Sequence, residues 1–256
     1  MKYIASCSFG KDSLALILKL LELNYPLDEV IFYDSGVEFQ AIYSNKNKLK
    51  TILESNNITF TELKPTYNFI YLMTEKPVQK RDFSVQNGYK WCGGRCRWGT
   101  TYKLQAIKNH YKKYNDFVVE YVGIAADEQE RLLRERTKVC SNKLKLYPLA
   151  EWQMTEKDCL DYCYKNGWNW LENGIELYSV LDRVSCWCCK NKNLKELKNI
   201  YNFLPNYWEK LRELQKKIDI PFRNKSTIFE LENQFKNQSL TDKKLSLRVI
   251  NKAAFR

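Results

Sequence analysis

Between residues 6 and 13 the chain reads Ser6-Cys7-Ser8-Phe9-Gly10-Lys11-Asp12-Ser13, its densest run of side chains with usable chemistry. The run follows a short apolar stretch, Lys2 to Ser6. It precedes Leu14, Leu16, Ile17, Leu18, Leu20 and Leu21, which recur at helical spacing. A strand-to-helix turn of this kind aims backbone amides at one spot, and the helix start adds its positive dipole end. Gly10 lets the chain approach an anion closely, Lys11 supplies charge, and Ser8 and Ser13 supply hydroxyl donors. The chemistry is phosphate binding. A Walker A loop is excluded, because Asp12 stands where Ser or Thr must follow the lysine. The plainer reading is an ordinary connecting turn, and six fitting positions in one context speak against it.

Nine cysteines supply the second chemistry. Trp91-Cys92-Gly93-Gly94-Arg95-Cys96 places two thiols around a Gly-Gly, and Ser185-Cys186-Trp187-Cys188-Cys189 places three within four residues. Such spacings let sulfurs converge on one soft metal or cluster. Cys92, Cys96, Cys186 and Cys189 make a four-thiolate set for Zn²⁺ or [4Fe–4S], and spacing does not choose between them. Cys188 is either a substitute ligand or a thiol that handles sulfur. Cys159 and Cys163, four apart beside Leu160 and Tyr162, read as core. Cys7 reads as a small filler, and Cys140 carries no signal. The single histidine, His110, stands among Lys108, Lys112 and Lys113 and reads as a solvated helix residue, so no histidine catalysis is expected. Tyr89, Lys90, Trp91, Arg95, Arg97, Trp98, Tyr102 and Lys103 surround the first cysteine pair. They suit either base stacking or packing around a metal.

The elements that must position these groups alternate. Lys2–Ser6, Glu29–Tyr33, Ile58–Leu63 and Phe117–Val122 read as strands, with helices over about 12–24 and 38–56 between them. This pattern predicts an α/β fold, a doubly wound and mainly parallel sheet whose ligands bind at the strands' carboxyl ends. After Pro148 the pattern turns helical: Met154–Asn166 with Thr155 as N-cap, then about 193–219 and 227–237. The expected division is a nucleotide-binding domain over 1–150 and a helical, cysteine-bearing lobe over 151–256. Lys64–Asn87 has no clear period and is expected to be a surface excursion.

The loop resembles the S-G-G-K-D-S pyrophosphate loop of the adenine nucleotide α-hydrolase superfamily, with Phe9 in place of its first glycine. Two further segments are similar to elements of one branch, the phosphoadenosine-phosphosulfate (PAPS) reductase-like proteins. Tyr33-Asp34-Ser35-Gly36-Val37-Glu38-Phe39 resembles D-T-G-x-x-F. Gly123-Ile124-Ala125-Ala126-Asp127-Glu128, with Arg131, resembles G-I-R-x-x-E-x-x-R, although Ala125 replaces the arginine. The resemblance covers about residues 1–190 and implies a Rossmann-like sheet that binds ATP or a related nucleotide. It assigns the phosphates to the segment from Ser6 through Ser8, Phe9, Gly10, Lys11, Asp12 and Ser13. It assigns Asp34 and Ser35 to the adenosine and Gly123 to the base. Asp127, Glu128 and Arg131 would face the phosphates or Mg²⁺, a hard ion suited to carboxylates. Lys11, Asp12 and Cys188 are the implied catalytic groups. Iron–sulfur clusters in several members of the superfamily tip the metal toward [4Fe–4S].

Composition bounds the rest. With 44% hydrophobic and 14% aromatic residues the chain is not disordered. No apolar run is long enough to span a membrane, and no secretory leader is read, so a cytoplasmic protein is expected. The formal charge of +12 suits a polyanion such as tRNA or DNA, and also a lysine- and asparagine-rich composition. The run Arg131, Arg134, Arg136, Lys138, Lys143 and Lys145 suits nucleic acid or a solvated face. Reductases of this branch use a C-terminal E-C-G-x-H cysteine, whereas residues 250–256 read Ile-Asn-Lys-Ala-Ala-Phe-Arg. The leading expectation is an ATP-dependent sulfurtransferase acting on a nucleic acid or small molecule and fed by a sulfur-donor protein. A sulfonucleotide reductase with an internal thiol comes second. A non-catalytic nucleotide- or nucleic-acid-binding module with structural zinc is the third reading.

Overall fold

The computed structural model of the chain describes residues 1–92, 96–137, 143–223 and 225–238. Gly93, Gly94, Arg95, Lys138, Cys140 and the 250–256 segment lie outside the described residues, as do the side chains of Trp98 and Arg136. Five strands form one parallel sheet: β1 (Lys2–Ser6), β2 (Glu29–Tyr33), β3 (Thr59–Leu63), β4 (Val118–Tyr121) and β5 (Lys143–Leu146). The order is β3-β2-β1-β4-β5, and every neighbouring pair is parallel. It is the expected α/β architecture. The order reverses between β1 and β4, and open sheets of this kind bind ligands outside the carboxyl ends at that point.

Helices α1 (Lys11–Glu22), α2 (Gln40–Ser55), α3 (Tyr102–Tyr111), α4 (Gln129–Arg136) and α5 (Glu156–Lys165) accompany the sheet. Alternation along the strands decides what each face carries. Ile4 and Ile31 meet Ile107 of α3, with Tyr111 and Tyr114 alongside. Positions 29, 31 and 33 of β2 therefore climb one face. His110 is not solvated: its Nε2 lies 2.8 Å from the Glu29 carboxylate, which is 1% exposed. Lys108, Lys112 and Lys113 suggested solvent, but the rotation of about 100° between successive helix residues sets them on a different face from Ile107, His110 and Tyr111.

The chain divides into two compact units, Met1–Phe69 with Arg95–Trp187, and Ile70–Gly94 with Cys188–Arg256. The expected boundary at residue 150 is therefore displaced. Residues 151–187 stay with the sheet because α5 lies along α1 and buries Cys159 and Cys163 completely. The Trp170 indole also donates to the Phe9 carbonyl at 2.7 Å. Thr155 caps α5 as expected, in a reciprocal capping box with Asp158.

The second unit contains α6 (Leu194–Phe203), α7 (Pro205–Lys217) and a helix over 228–238. Its core is aromatic: Tyr201, Trp208 and Phe235 lie with ring centroids 5.4–5.9 Å apart. Lys64–Asn87 is not featureless. Pro77–Gln79 and Val85–Asn87 pair as an antiparallel hairpin. Among the described residues no helix is long and apolar enough to cross a membrane.

Candidate functional site

The turn after β1 holds itself in shape through one hydroxyl. Ser13 Oγ accepts from the Ser8 amide at 3.1 Å, lies 3.2 Å from Ser8 Oγ, and donates to the Gly10 carbonyl at 3.1 Å. Phe9, in the place of the family's first glycine, has φ of +58°, a left-handed conformation that non-glycine residues seldom adopt. Its ring is fully buried, edge-on to Phe32 at 5.1 Å, so Phe9 offers the loop only its main chain. Apolar burial offsets the strain. Ser6 shares the α3-facing side of β1 with Ile4, away from the loop.

Gly10 is the N-cap of α1, and the first helical amide, Lys11 N–H, donates to the Tyr178 hydroxyl at 2.8 Å. The Lys11 ammonium is 8% exposed, 2.6 Å from Glu156 and 3.4 Å from Asp12. Burial works to lower its pKa, but the two carboxylates outweigh burial and hold it above the ordinary value. Asp12 is pushed up to about 6, by burial first and then by the charges of Glu156 and Glu128 against the opposing pull of Lys11. One of its oxygens, Oδ1, is buried 3.4 Å from Lys11 Nζ with no hydrogen bond among the described residues. Neither Tyr178 nor Glu156 has a signal in the sequence: both come from the segment expected in another domain, and only the fold brings them to the loop.

The segment after β4 faces this turn. A Cβ built on Gly123 would lie 3.2 Å from Ser13 Cα and 3.4 Å from both Asp12 O and Ser13 N. Gly123 thus sets the spacing between the β4 end and the loop rather than only bordering a base. Gly123→Ala is expected to force the loop outward, weakening nucleotide binding about tenfold at a stability cost of about 1–2 kcal/mol. Calorimetric titration with ATP beside urea unfolding checks both numbers. Asp127 accepts the Glu156 amide at 3.0 Å and so positions α5. Glu128 accepts the Ala125 amide at 3.3 Å and takes both bonds of Arg131, at 2.8 and 3.0 Å. With Ala125 at the family's arginine position, Arg131 is the charged group of this segment, and it is committed to Glu128.

At the end of β2, Asp34 accepts from the Gly36 amide and the Tyr43 hydroxyl, each at 2.8 Å. The Ser35 hydroxyl donates to Glu38 at 2.7 Å and lies 3.8 Å from Cys186 Sγ, which itself contacts Glu38 at 3.6 Å. Burial holds the Glu38 carboxyl above its ordinary range, against the Ser35 and Cys186 hydrogen bonds and the charge of Lys103. Cys96 caps the short helical turn Arg97–Thr101, its sulfur accepting from the Gly99 amide at 3.2 Å. Among the described residues the buried Tyr33 hydroxyl has no hydrogen-bond partner. Burial raises its pKa to about 12, with smaller contributions from Tyr102, Asp34, Cys186 and Cys96. Two of the four candidate ligands, Cys96 and Cys186, therefore share an electrostatic neighbourhood. Cys92, donating to the Tyr89 carbonyl at 3.6 Å, and Cys189 belong to the second unit, as does Cys188, which is 1% exposed. None of the described cysteines forms a disulfide. Among the described residues no three His, Cys, Asp or Glu side chains stand together as a metal-ligand group.

The turn after β1 thus lies at the switch point of the sheet, with the β2 and β4 ends around it. Residues 2–190 match the phosphoadenosine phosphosulfate reductase domain. The chain belongs to this family. An uncharacterized protein of Methanocaldococcus jannaschii is 27% identical over 228 residues, covering 82% of this chain and 41% of its own length. The chain thus spans less than half of that curated relative. Among solved structures, a U34-tRNA thiolase of Methanococcus maripaludis, determined with its [4Fe–4S] cluster, aligns at a TM-score of 0.42. Its sequence identity is 14%, and the alignment covers 93% of this chain and 72% of that one.

Proposed function

We propose that this member of the PAPS reductase domain family is an ATP-dependent sulfurtransferase. An oxygen of the acceptor, a nucleic acid or a small molecule, attacks the α-phosphorus, and the bond to the β-phosphate breaks. Pyrophosphate then leaves. Sulfide from a donor next attacks the activated carbon, and the oxygen departs with AMP. The observation that carries this reading is the turn after β1: Gly10 at the helix start, the Ser8–Ser13 hydroxyl pair within the turn, and the buried Lys11 ammonium beside Asp12.

Lys11 would neutralise the leaving pyrophosphate, and Ser8 and Ser13 would turn their hydroxyls from each other to the phosphates. Asp34 and Ser35, at the end of β2, would border the adenosine. The Asp12 oxygen that has only the Lys11 ion pair and no hydrogen bond is suited to Mg²⁺, which uses one or two carboxylates and completes its shell with phosphate and water oxygens. For a thiolate-bound centre the supporting observation is the orphaned Tyr33 hydroxyl near Cys96 and Cys186. Cys92 and Cys189 enter on their spacing in the chain alone, with Cys188 as their substitute. Such a centre would supply sulfur-binding chemistry if it is [4Fe–4S], and a structural clamp if it is Zn²⁺.

Anaerobically purified protein tests both parts. Pyrophosphate release from ATP with an RNA or DNA pool is expected, together with equimolar iron and sulfide and absorption near ~400 nm. No release with any pool, or sulfite formed from PAPS with thioredoxin, overturns the sulfurtransferase reading. Colourless protein carrying one zinc overturns the cluster.

A further inference from the structure

The hairpin of the second unit ends in a loop whose geometry and residues disagree. Its strands pair Pro77 with Asn87, Val78 with Gln86 and Gln79 with Val85. At the tip, Lys80 N–H donates to the Ser84 carbonyl at 2.8 Å and Phe83 N–H to the Lys80 carbonyl at 3.1 Å. Asp82 Oδ1 takes the Ser84 amide at 3.1 Å and hydroxyl at 2.6 Å. These bonds describe a three-residue connection, a turn followed by one left-handed residue, a position that calls for glycine. Phe83 occupies it, at φ of +65° and 81% exposed. A bulky residue there gains nothing from burial, unlike Phe9, so the fold does not account for it. Strain of this kind is retained where a surface binds something.

The flanking residues indicate what is bound. Lys80 and Arg81 are exposed, and among the described residues neither side chain is in an ion pair or hydrogen bond, although the Asp82 and Asp219 carboxylates feel the charge of Lys80. Val85 is 66% exposed and extends the apolar surface down one strand. The projection is anchored at its base: the Tyr89 and Lys90 amides donate to the Leu72 and Met73 carbonyls at 2.9 and 2.8 Å. Gly88, at φ of +70°, leaves no room for a Cβ, which would lie 1.9 Å from Met73 O. One exposed ring beside two exposed cations, on a chain of net charge +12, matches an unstacked base between phosphates. One phenylalanine and one valine give too little apolar contact to hold a membrane surface.

We propose that the 80–85 tip is a docking site for single-stranded nucleic acid, Phe83 stacking on an unpaired base while Lys80 and Arg81 contact the flanking phosphates. This narrows the acceptor of the proposed reaction to single-stranded nucleic acid and rests on that reading only for the catalytic consequence. The test is fluorescence anisotropy of the full chain with labelled oligouridylate, oligothymidylate, and an RNA duplex, across a salt series. Phe83→Ala is expected to weaken binding to the single strands about tenfold, with Phe83→Trp restoring it. Lys80→Gln with Arg81→Gln is expected to reduce the salt slope by about 1.4. Phe83→Gly separates recognition from architecture: it relieves the backbone, so thermal stability rises or holds while affinity falls. Single-strand affinity unchanged in both Phe83→Ala and Phe83→Gly overturns the proposal, as does preference for the duplex. Phe83-dependent binding to phosphatidylserine vesicles in place of oligonucleotides also overturns it. ATP binding in the same variants is expected to be unchanged, so loss of the nucleotide reading and loss of this one are told apart.

Discussion

Lys11→Met is expected to lower pyrophosphate release by two to three orders of magnitude, about 3–4 kcal/mol of transition-state stabilisation. The ammonium is the cation nearest the loop, and it is buried where the dielectric is low, so its charge acts on a phosphate with little screening. The substitution does more than remove attraction. Asp12 and Glu156 stay in place without their counter-ion and repel the incoming triphosphate. Lys11→Arg keeps the charge but spreads it over a planar fork in a pocket shaped by the Tyr178 ring, 5.8 Å from Nζ, so it should recover only part of the loss.

The same geometry sets the sign of a second substitution. Glu156 holds Nζ at 2.6 Å, so a phosphate must compete with a carboxylate for it. Glu156→Gln removes the competitor's charge, and pyrophosphate without Mg²⁺ should bind about tenfold tighter. Steady-state kinetics beside equilibrium titration separates these effects. A Lys11→Met enzyme within tenfold of wild type would mean that the loop does not hold the phosphates, and a Glu156→Gln enzyme with weaker Mg²⁺-free binding would mean that Glu156 is not a competitor.

Much of this site was legible in the sequence because its parts are contiguous. Ser6 to Ser13 reads as a candidate phosphate loop through types and spacing, and the apolar runs on either side place it after a strand and before a helix, where the fold has it. The buried Cys159 and Cys163 followed from helical periodicity in the same way. Groups that reach the site from far along the chain were not legible. Tyr178 is 167 residues from the amide it contacts, and Glu156 is 145 residues from Lys11. β5 was missed for a different reason. Lys143-Leu144-Lys145-Leu146 alternates as a strand should, but its lysines read as part of a charge run. In the fold they pair inward, Lys143 with Glu120 at 2.7 Å and Lys145 with Glu135 at 2.6 Å. A long aliphatic stem lets lysine line an edge strand while its charge finds a carboxylate. The hairpin of 77–87 escaped because its strands are three residues each, too short for period-two alternation to register.

Glu29→Ala is expected to destabilise the chain by about 3–5 kcal/mol, lowering the melting temperature by about 10 °C. Glu29 opens β2 at the end of the sheet opposite the turn after β1, so the effect should fall on stability and leave nucleotide affinity unchanged. Its carboxylate accepts from Thr61 at 2.5 Å and from the Tyr114 hydroxyl, and it lies 2.8 Å from His110 Nε2. Alanine leaves those groups facing an emptied, water-poor pocket, and stranded donors cost more than the net value of the bonds they lose. The dependence on pH has a definite sign. Burial alone would raise the Glu29 pKa, but the hydrogen bonds from Thr61, Tyr114 and His110 outweigh it and hold the carboxyl below its ordinary value. A depressed acid binds protons more readily unfolded than folded, so its contribution is complete above the unfolded carboxyl pKa and disappears as pH falls through the folded one. Wild-type stability should therefore decline on acidification, and Glu29→Gln, which has nothing to titrate there, should show a shallower acid limb. Urea unfolding followed by circular dichroism between pH 3 and 7 decides it. A loss below about 1 kcal/mol for Glu29→Ala, or parallel acid limbs in wild type and Glu29→Gln, would show that the carboxylate is solvated after all.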